Sequence, residues 1–105
     1  MKKLTQKELK ESLHYDPENG IFTWKVTRGS RAIKGNTAGS FNHKTNYFQI
    51  RINNVLYYNH RLAWLYVYGY FSENEIDHID RNPSNNAIKN LREVSHTCNI
   101  RNCGN

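Results

Sequence analysis

Two short apolar stretches, Ile76–Ile79 and Leu91–Val94, flank a long polar turn, and this arrangement constrains the fold more than any other part of the chain. The turn opens Asp80-Arg81-Asn82-Pro83-Ser84-Asn85-Asn86. Short Asp, Asn and Ser side chains bond their own backbone, and proline presets φ and removes a donor, so the segment cannot continue either neighbour as a strand. Two apolar stretches of strand length on either side predict an antiparallel ribbon. Ser95 can then cap a helix, and a helix from His96 onward places Asn99 one turn in, facing back toward the ribbon.

The preceding residues supply a scaffold. Thr5 and Glu8 have the spacing of a capping box, and Leu4, Leu9 and Leu13 recur at helical intervals, so Thr5 to His14 reads as a short amphipathic helix. Asp16-Pro17-Glu18-Asn19-Gly20 ends it with turn residues. Ile21 to Val26 reads as a strand, and Arg28 to Gly35 is a basic connection carrying Arg28, Arg31 and Lys34, either solvated or in contact with phosphate. Tyr47–Ile52 and Val55–Tyr58 are separated by Asn53-Asn54, a pair that tolerates positive φ, which predicts a tight hairpin. From Asn59 to Tyr68, Leu62, Leu65 and Tyr66 lie on one helical face and Gly69 suits the C-terminal cap. The tyrosines of this helix and Trp64 read as core rather than as a cofactor box. After Tyr70 the chain turns polar and rich in asparagine, a change that separates scaffold from site rather than domain from domain.

The expected fold class is therefore α+β: a small antiparallel sheet with helices, followed by a strand-strand-helix module. At 105 residues one domain is expected, with residues 1–70 as scaffold and 75–105 as the site. Fifteen Lys and Arg against nine Asp and Glu give a formal charge of +6, which favours a polyanionic partner, nucleic acid first. The apolar run around Leu62 to Tyr70 is too short and too rich in tyrosine to span a bilayer, and the start, Met1-Lys2-Lys3, leads into no apolar stretch. No membrane association is expected, and the expected location is the cytosol. Cys98 and Cys103 form no CxxC pair and read as reduced thiols. His14, His43 and His96 have no chemical context.

The ribbon carries the chemistry. A carboxylate beside a histidine on a strand, joined by a helix residue with a carbonyl oxygen, can hold a hard divalent cation and a general base, the two parts that phosphodiester cleavage needs. Asp77-His78 is such a pair. Successive strand side chains point to opposite faces, so aiming both at one phosphate demands a bend, twist or bulge there. By alternation Asp80 shares the side of His78, yet its place at the start of the turn suits an Asx-type role better than that of a metal ligand.

Asp77-His78, the turn from Asp80 through Asn86, Asn90-Leu91 and Asn99 follow one another in the order and spacing of a known pattern. His60-Arg61-Leu62-Ala63-Trp64 with Gly69, and Gly20-Ile21-Phe22-Thr23-Trp24, belong to it too. The chain resembles the HNH endonuclease family, specifically its phage and homing-type branch with the ββα-metal motif. The resemblance implies that His78 is the general base that activates water and that Asn90 bonds backbone across the loop and holds the histidine's strand. It also implies that Asp77 and Asn99 complete the metal pair. Asn99 stands where many members have a second histidine, and oxygen-only ligands favour Mg2+ or Mn2+ over Zn2+. Arg81, Lys89, Arg92 and Arg101 around the site, with Arg61, Arg28 and Arg31, suit the phosphates of double-stranded DNA. His60 is either a DNA or supporting contact or a satisfied structural group.

The expected function is metal-dependent hydrolysis of DNA, by nicking or double-strand cleavage, leaving 5′-phosphate and 3′-hydroxyl ends. One such site cuts one strand per visit, so double-strand cleavage calls for a homodimer or two binding events. Two other readings compete: a noncatalytic, sequence-specific DNA-binding module, and a nuclease subunit active only with other phage DNA-processing proteins in the host cytosol.

Overall fold

Thr5 caps the first helix as its spacing from Glu8 predicts: the Glu8 amide donates to Thr5 Oγ1 at 3.2 Å and the Thr5 amide to Glu8 Oε1 at 3.1 Å. A computed structural model of the chain describes residues 3–30 and 32–94. The helix expected after Ser95, with His96, Cys98 and Cys103, lies outside the described residues.

Helix α1 spans Gln6–Ser12 and stops short of His14, because Leu13 (φ −134°) already begins strand β1, Leu13–Asp16. Leu13 satisfies a helical and a strand pattern alike. Pairing with β2, Ile21–Trp24, decides between them by offering Leu13 to Asp16 a full antiparallel ladder in register with Trp24 to Ile21. Burial then follows the strand period: Leu13 and Tyr15 point inward, His14 outward. A two-residue strand β3, Thr37–Ala38, extends this sheet. The next sheet holds β4, Ser40–Asn42, with β5, Tyr47–Ile52, and β6, Val55–Tyr58. Neither β3 nor β4 stands out in the sequence, since each is too short to show a period. The β5–β6 hairpin is as expected, with Asn53 and Asn54 at φ 52° and 66° and Ile52 facing Val55.

Helix α2, Asn59–Tyr68, ends at Gly69, whose φ of 88° lets its amide reach Leu65 O at 2.9 Å. Leu62, Ala63, Trp64 and Leu65 are buried. Tyr68 corrects the reading of the helix's tyrosines as core: the last turn rises out of the protein, leaving this residue 50% exposed with its ring against Trp64. The third sheet is the predicted ribbon, β7, Glu75–His78, with β8, Leu91–Val94. Ile79 falls outside the strand because its amide turns to Asn90 O at 2.7 Å.

One core cluster draws on every layer, from Leu4, Leu9 and Leu13 through Phe22 and Ile50 to Leu62, Ile76 and Leu91. Each fully buried Leu or Phe contributes about 1.5–3 kcal/mol. Among the described residues no helix is long and apolar enough to cross a membrane. The fold is α+β, with two α-helices and small antiparallel sheets among the described residues.

The β1–β2 turn also meets the polar loop that precedes β8. The Ile88 amide donates to Pro17 O at 3.2 Å. Gly20, at φ 74°, leaves so little room that a Cβ there would lie 2.2 Å from Asn86 C. Left-handed backbone strain and overpacking combine in Gly20→Ala, which should lose about 2–5 kcal/mol of stability in urea unfolding. A wild-type midpoint in this variant would show that the two backbones do not touch.

Candidate active site at the end of the β7–β8 ribbon

His78 is the last residue of β7 and is 5% exposed. The β7–β8 register is unbroken, pairing Glu75, Ile76, Asp77 and His78 with Val94, Glu93, Arg92 and Leu91. Of the bend, twist or bulge expected at Asp77-His78, this register excludes the bulge. Ile76 and His78 face the core while Asp77 takes the other face, where Arg92 stands opposite it. Arg92 Nε and Nη2 donate to Asp77 Oδ2 at 3.1 and 3.0 Å. Charge attraction between directly paired residues thus favours the regular ladder.

Asn90 uses every polar atom of its side chain. Its oxygen accepts the Asp80 amide at 3.0 Å, and its nitrogen donates to Asp80 Oδ1 at 2.9 Å and to Asn85 O at 2.8 Å. These bonds close the turn between the strands. Asp80 occupies the Asx-type position: it accepts the Asn82 amide at 2.8 Å and the Asn85 side chain at 2.9 Å. Hydrogen bonds from the Asn85 side chain, the Asn82 amide and the Asn90 side chain hold its carboxyl below the ordinary aspartate value.

On its inner side His78 meets groups from three other elements. Nε2 lies 2.8 Å from Asn86 Oδ1. The Tyr47 ring of β5 stacks at 6.0 Å, and the His60 ring of α2 stands edge-on at 5.0 Å. Tyr47 and Tyr58 also flank His60, at 4.9 and 5.5 Å. His60 is thus a buried neighbour of His78, and burial first, then the His78 and Arg61 charges, push its pKa down to about 3. Neither Asn86 nor Tyr47 is among the sequence-derived site residues. Asn86 is indistinguishable from its turn neighbours in sequence, and Tyr47 reads simply as a strand aromatic.

The other expected residues are spread out. Arg61 Nη1 donates to Ser72 O at 3.3 Å. The Ser72 hydroxyl donates to the Glu93 carboxylate, so α2 is tied to the ribbon. Arg81, at φ 63°, and Lys89 are exposed on the connection between β7 and β8. Arg28 is held by Asn53 Oδ1 at 2.9 Å and Ser12 Oγ at 2.6 Å, and it lines an open groove of about 710 Å³ with Trp24, Gln49 and Arg51. Arg31, Asn99 and Arg101 lie outside the described residues.

Among the described residues no group of three or more His, Cys, Asp and Glu side chains is placed to hold a metal ion. Asp77 fits a hard cation as a single donor. Its side chain is 42% exposed, and both contacts from Arg92 fall on Oδ2, leaving Oδ1 without a partner among the described residues.

Residues 57–101 match a family model described as HNH endonuclease. Among solved structures, the chain is similar to one described as DNA binding and cleavage by the HNH homing endonuclease I-HmuI, with 22% sequence identity and a TM-score of 0.66. The match covers 97% of this chain and 57% of that one, so the chain spans little more than half the length of that protein. At that identity the likeness establishes the fold. No curated protein matches the chain.

The depressed pKa of His60 has a consequence for stability. The unfolded chain takes up a proton near pH 6.5 that the folded chain refuses until about pH 3, so stability falls as pH drops through that window. Between about pH 7.5 and 5 the wild type should lose roughly 1–2 kcal/mol more than His60→Phe. Equal pH slopes in urea denaturation would show that His60 titrates normally.

Proposed function

From the match of residues 57–101 to an HNH endonuclease family model, we propose that this chain is a metal-dependent DNA endonuclease of that family with His78 as its general base. The observation that supports this best is the position of His78, last residue of β7, beside a turn that Asn90 holds with all the polar atoms of its side chain. A base must keep its place while a flexible substrate is drawn to it, and a braced turn at a strand end provides that rigidity.

In the proposed reaction a water oxygen attacks phosphorus, and the phosphorus–O3′ bond breaks. The water proton passes to the His78 imidazole, and the leaving 3′ oxygen takes a proton from solvent. The products carry 5′-phosphate and 3′-hydroxyl ends. Asp77 and Asn99 would hold the divalent cation, and their oxygens favour Mg2+ or Mn2+. When bound, the cation offsets charge on the scissile phosphate and the leaving oxygen. Asp77 lies on the outer face of the ribbon, opposite Arg92, and His78 on the inner face at the end of β7.

Exposed Arg81 and Lys89 would meet phosphates beside the cut. Arg28 and Arg51 in the groove of the amino-terminal sheets would hold duplex farther away. The +6 charge favours such an extended track.

Supercoiled plasmid with Mg2+ or Mn2+ tests this reading. The wild type should nick it, and His78→Ala should lower the rate by about 10²–10⁴-fold while leaving plasmid affinity within about twofold. Equal nicking by the variant would remove His78 as base, and binding without nicking in the wild type would leave only a DNA-binding module. Separately, Asp77→Ala should weaken metal binding about tenfold or more in calorimetry; an unchanged titration would strike Asp77 from the ligands.

A further inference from the structure

His78 has one ring nitrogen engaged by the protein and one that is not. Nε2 sits 2.8 Å from Asn86 Oδ1, and Nδ1 makes no hydrogen bond among the described residues. A neutral imidazole carries hydrogen on one nitrogen only, and an amide oxygen only accepts. Nε2 therefore holds the hydrogen and Nδ1 keeps its lone pair. The flanking rings of Tyr47 and His60 can fix the plane of the imidazole, but ring packing does not choose between its nitrogens. Asn86 makes that choice.

Asn86 is itself held from the far end of the chain. It is 3% exposed, and its backbone carbonyl accepts the Tyr15 hydroxyl of β1. Gly20 closely approaches the same peptide, and the Ile88–Pro17 hydrogen bond holds the next peptide to the β1–β2 turn. Asn90, by contrast, bonds the turn's backbone and Asp80 and, among the described residues, makes no hydrogen bond to the imidazole.

We propose that Asn86 is a positioning residue for His78: anchored by the β1–β2 hairpin through Tyr15 and Gly20, its amide oxygen holds the imidazole in the tautomer whose Nδ1 receives the proton of the attacking water. This rests on His78 being the base. As Nδ1 gains that proton the ring becomes cationic, and the Nε2–H bond to the amide oxygen strengthens. The contact is therefore worth more in the transition state than in the resting enzyme, which is the condition for it to raise rate rather than affinity. The hairpin at residues 13–24 thereby becomes part of the active site rather than a remote support.

Two substitutions separate the acceptor from mere bulk. Asn86→Asp keeps an oxygen in place, and Asn86→Leu keeps nearly the same volume without one. With the full chain labelled by ¹⁵N-histidine, metal-free at about pH 8, where an ordinary imidazole is neutral, ring nitrogen shifts read the tautomer of His78. The wild type and Asn86→Asp should show hydrogen on Nε2, and Asn86→Leu a mixture. In single-turnover nicking of supercoiled plasmid with Mg2+, Asn86→Leu should be about 10–100-fold slower with plasmid affinity unchanged, and Asn86→Asp should recover most of that loss. Hydrogen on Nδ1 of wild-type His78 overturns the proposal without any variant being needed. So does an Asn86→Leu protein with the wild-type tautomer or the wild-type nicking rate. Undiminished nicking by His78→Ala instead defeats the assignment of the base and leaves the tautomer result standing.

Discussion

A polar loop can be brought against an apolar core only if its peptide groups find partners there, and the segment between β7 and β8 meets that condition with its own asparagines. Asn82, Asn85 and Asn90 each accept or donate within the loop. Asn86 turns the other way, its carbonyl toward Tyr15 and its amide oxygen toward His78. Had these positions carried apolar residues, the amide of Asp80 and the carbonyl of Asn85 would lose partners, at about 1–3 kcal/mol for each group left buried and unsatisfied. The density of asparagine is thus what allows a site to be built at the edge of so small a core.

Charge is distributed around that loop in a consistent way. Its outer side holds ionised groups: Asp80, kept acidic by its hydrogen bonds, and Asp77 paired with Arg92. The inner side is aromatic and low in polarity, and burial keeps His60 neutral there. His78 lies on the boundary. An imidazole so placed faces no fixed positive charge from His60, and the two histidine rings can pack without repulsion.

Much of the architecture was legible in the residues because local chemistry and tertiary need coincided. The Thr5–Glu8 cap, the Asn53-Asn54 hairpin, the Gly69 stop and the pairing of Ile76–His78 with Leu91–Val94 each follow from conformations that few other residues take up. Where one residue satisfied two patterns, the sequence could not choose. Leu13 fits the apolar stripe of α1 as well as the inward face of β1, and only the partner strand at Ile21–Trp24 decides. Tyr68 reads as core with the other tyrosines of α2, but where the helix leaves the core depends on what packs beside it.

The candidate site divides along the same line. The residues themselves determined that a carboxylate, an imidazole and a loop of asparagines would share one ribbon, since their order along the chain and the turn chemistry leave little choice. Which way each of them points was decided by the tertiary structure. Asp77 faces Arg92 because the cross-strand register is unbroken, and His78 faces Asn86, His60 and Tyr47 because those groups arrive from the loop, from α2 and from β5. The grip of Tyr15 on Asn86 joins residues 71 positions apart. No periodicity or local spacing spans such a distance, and only the packing of the first hairpin against the last loop brings the two together.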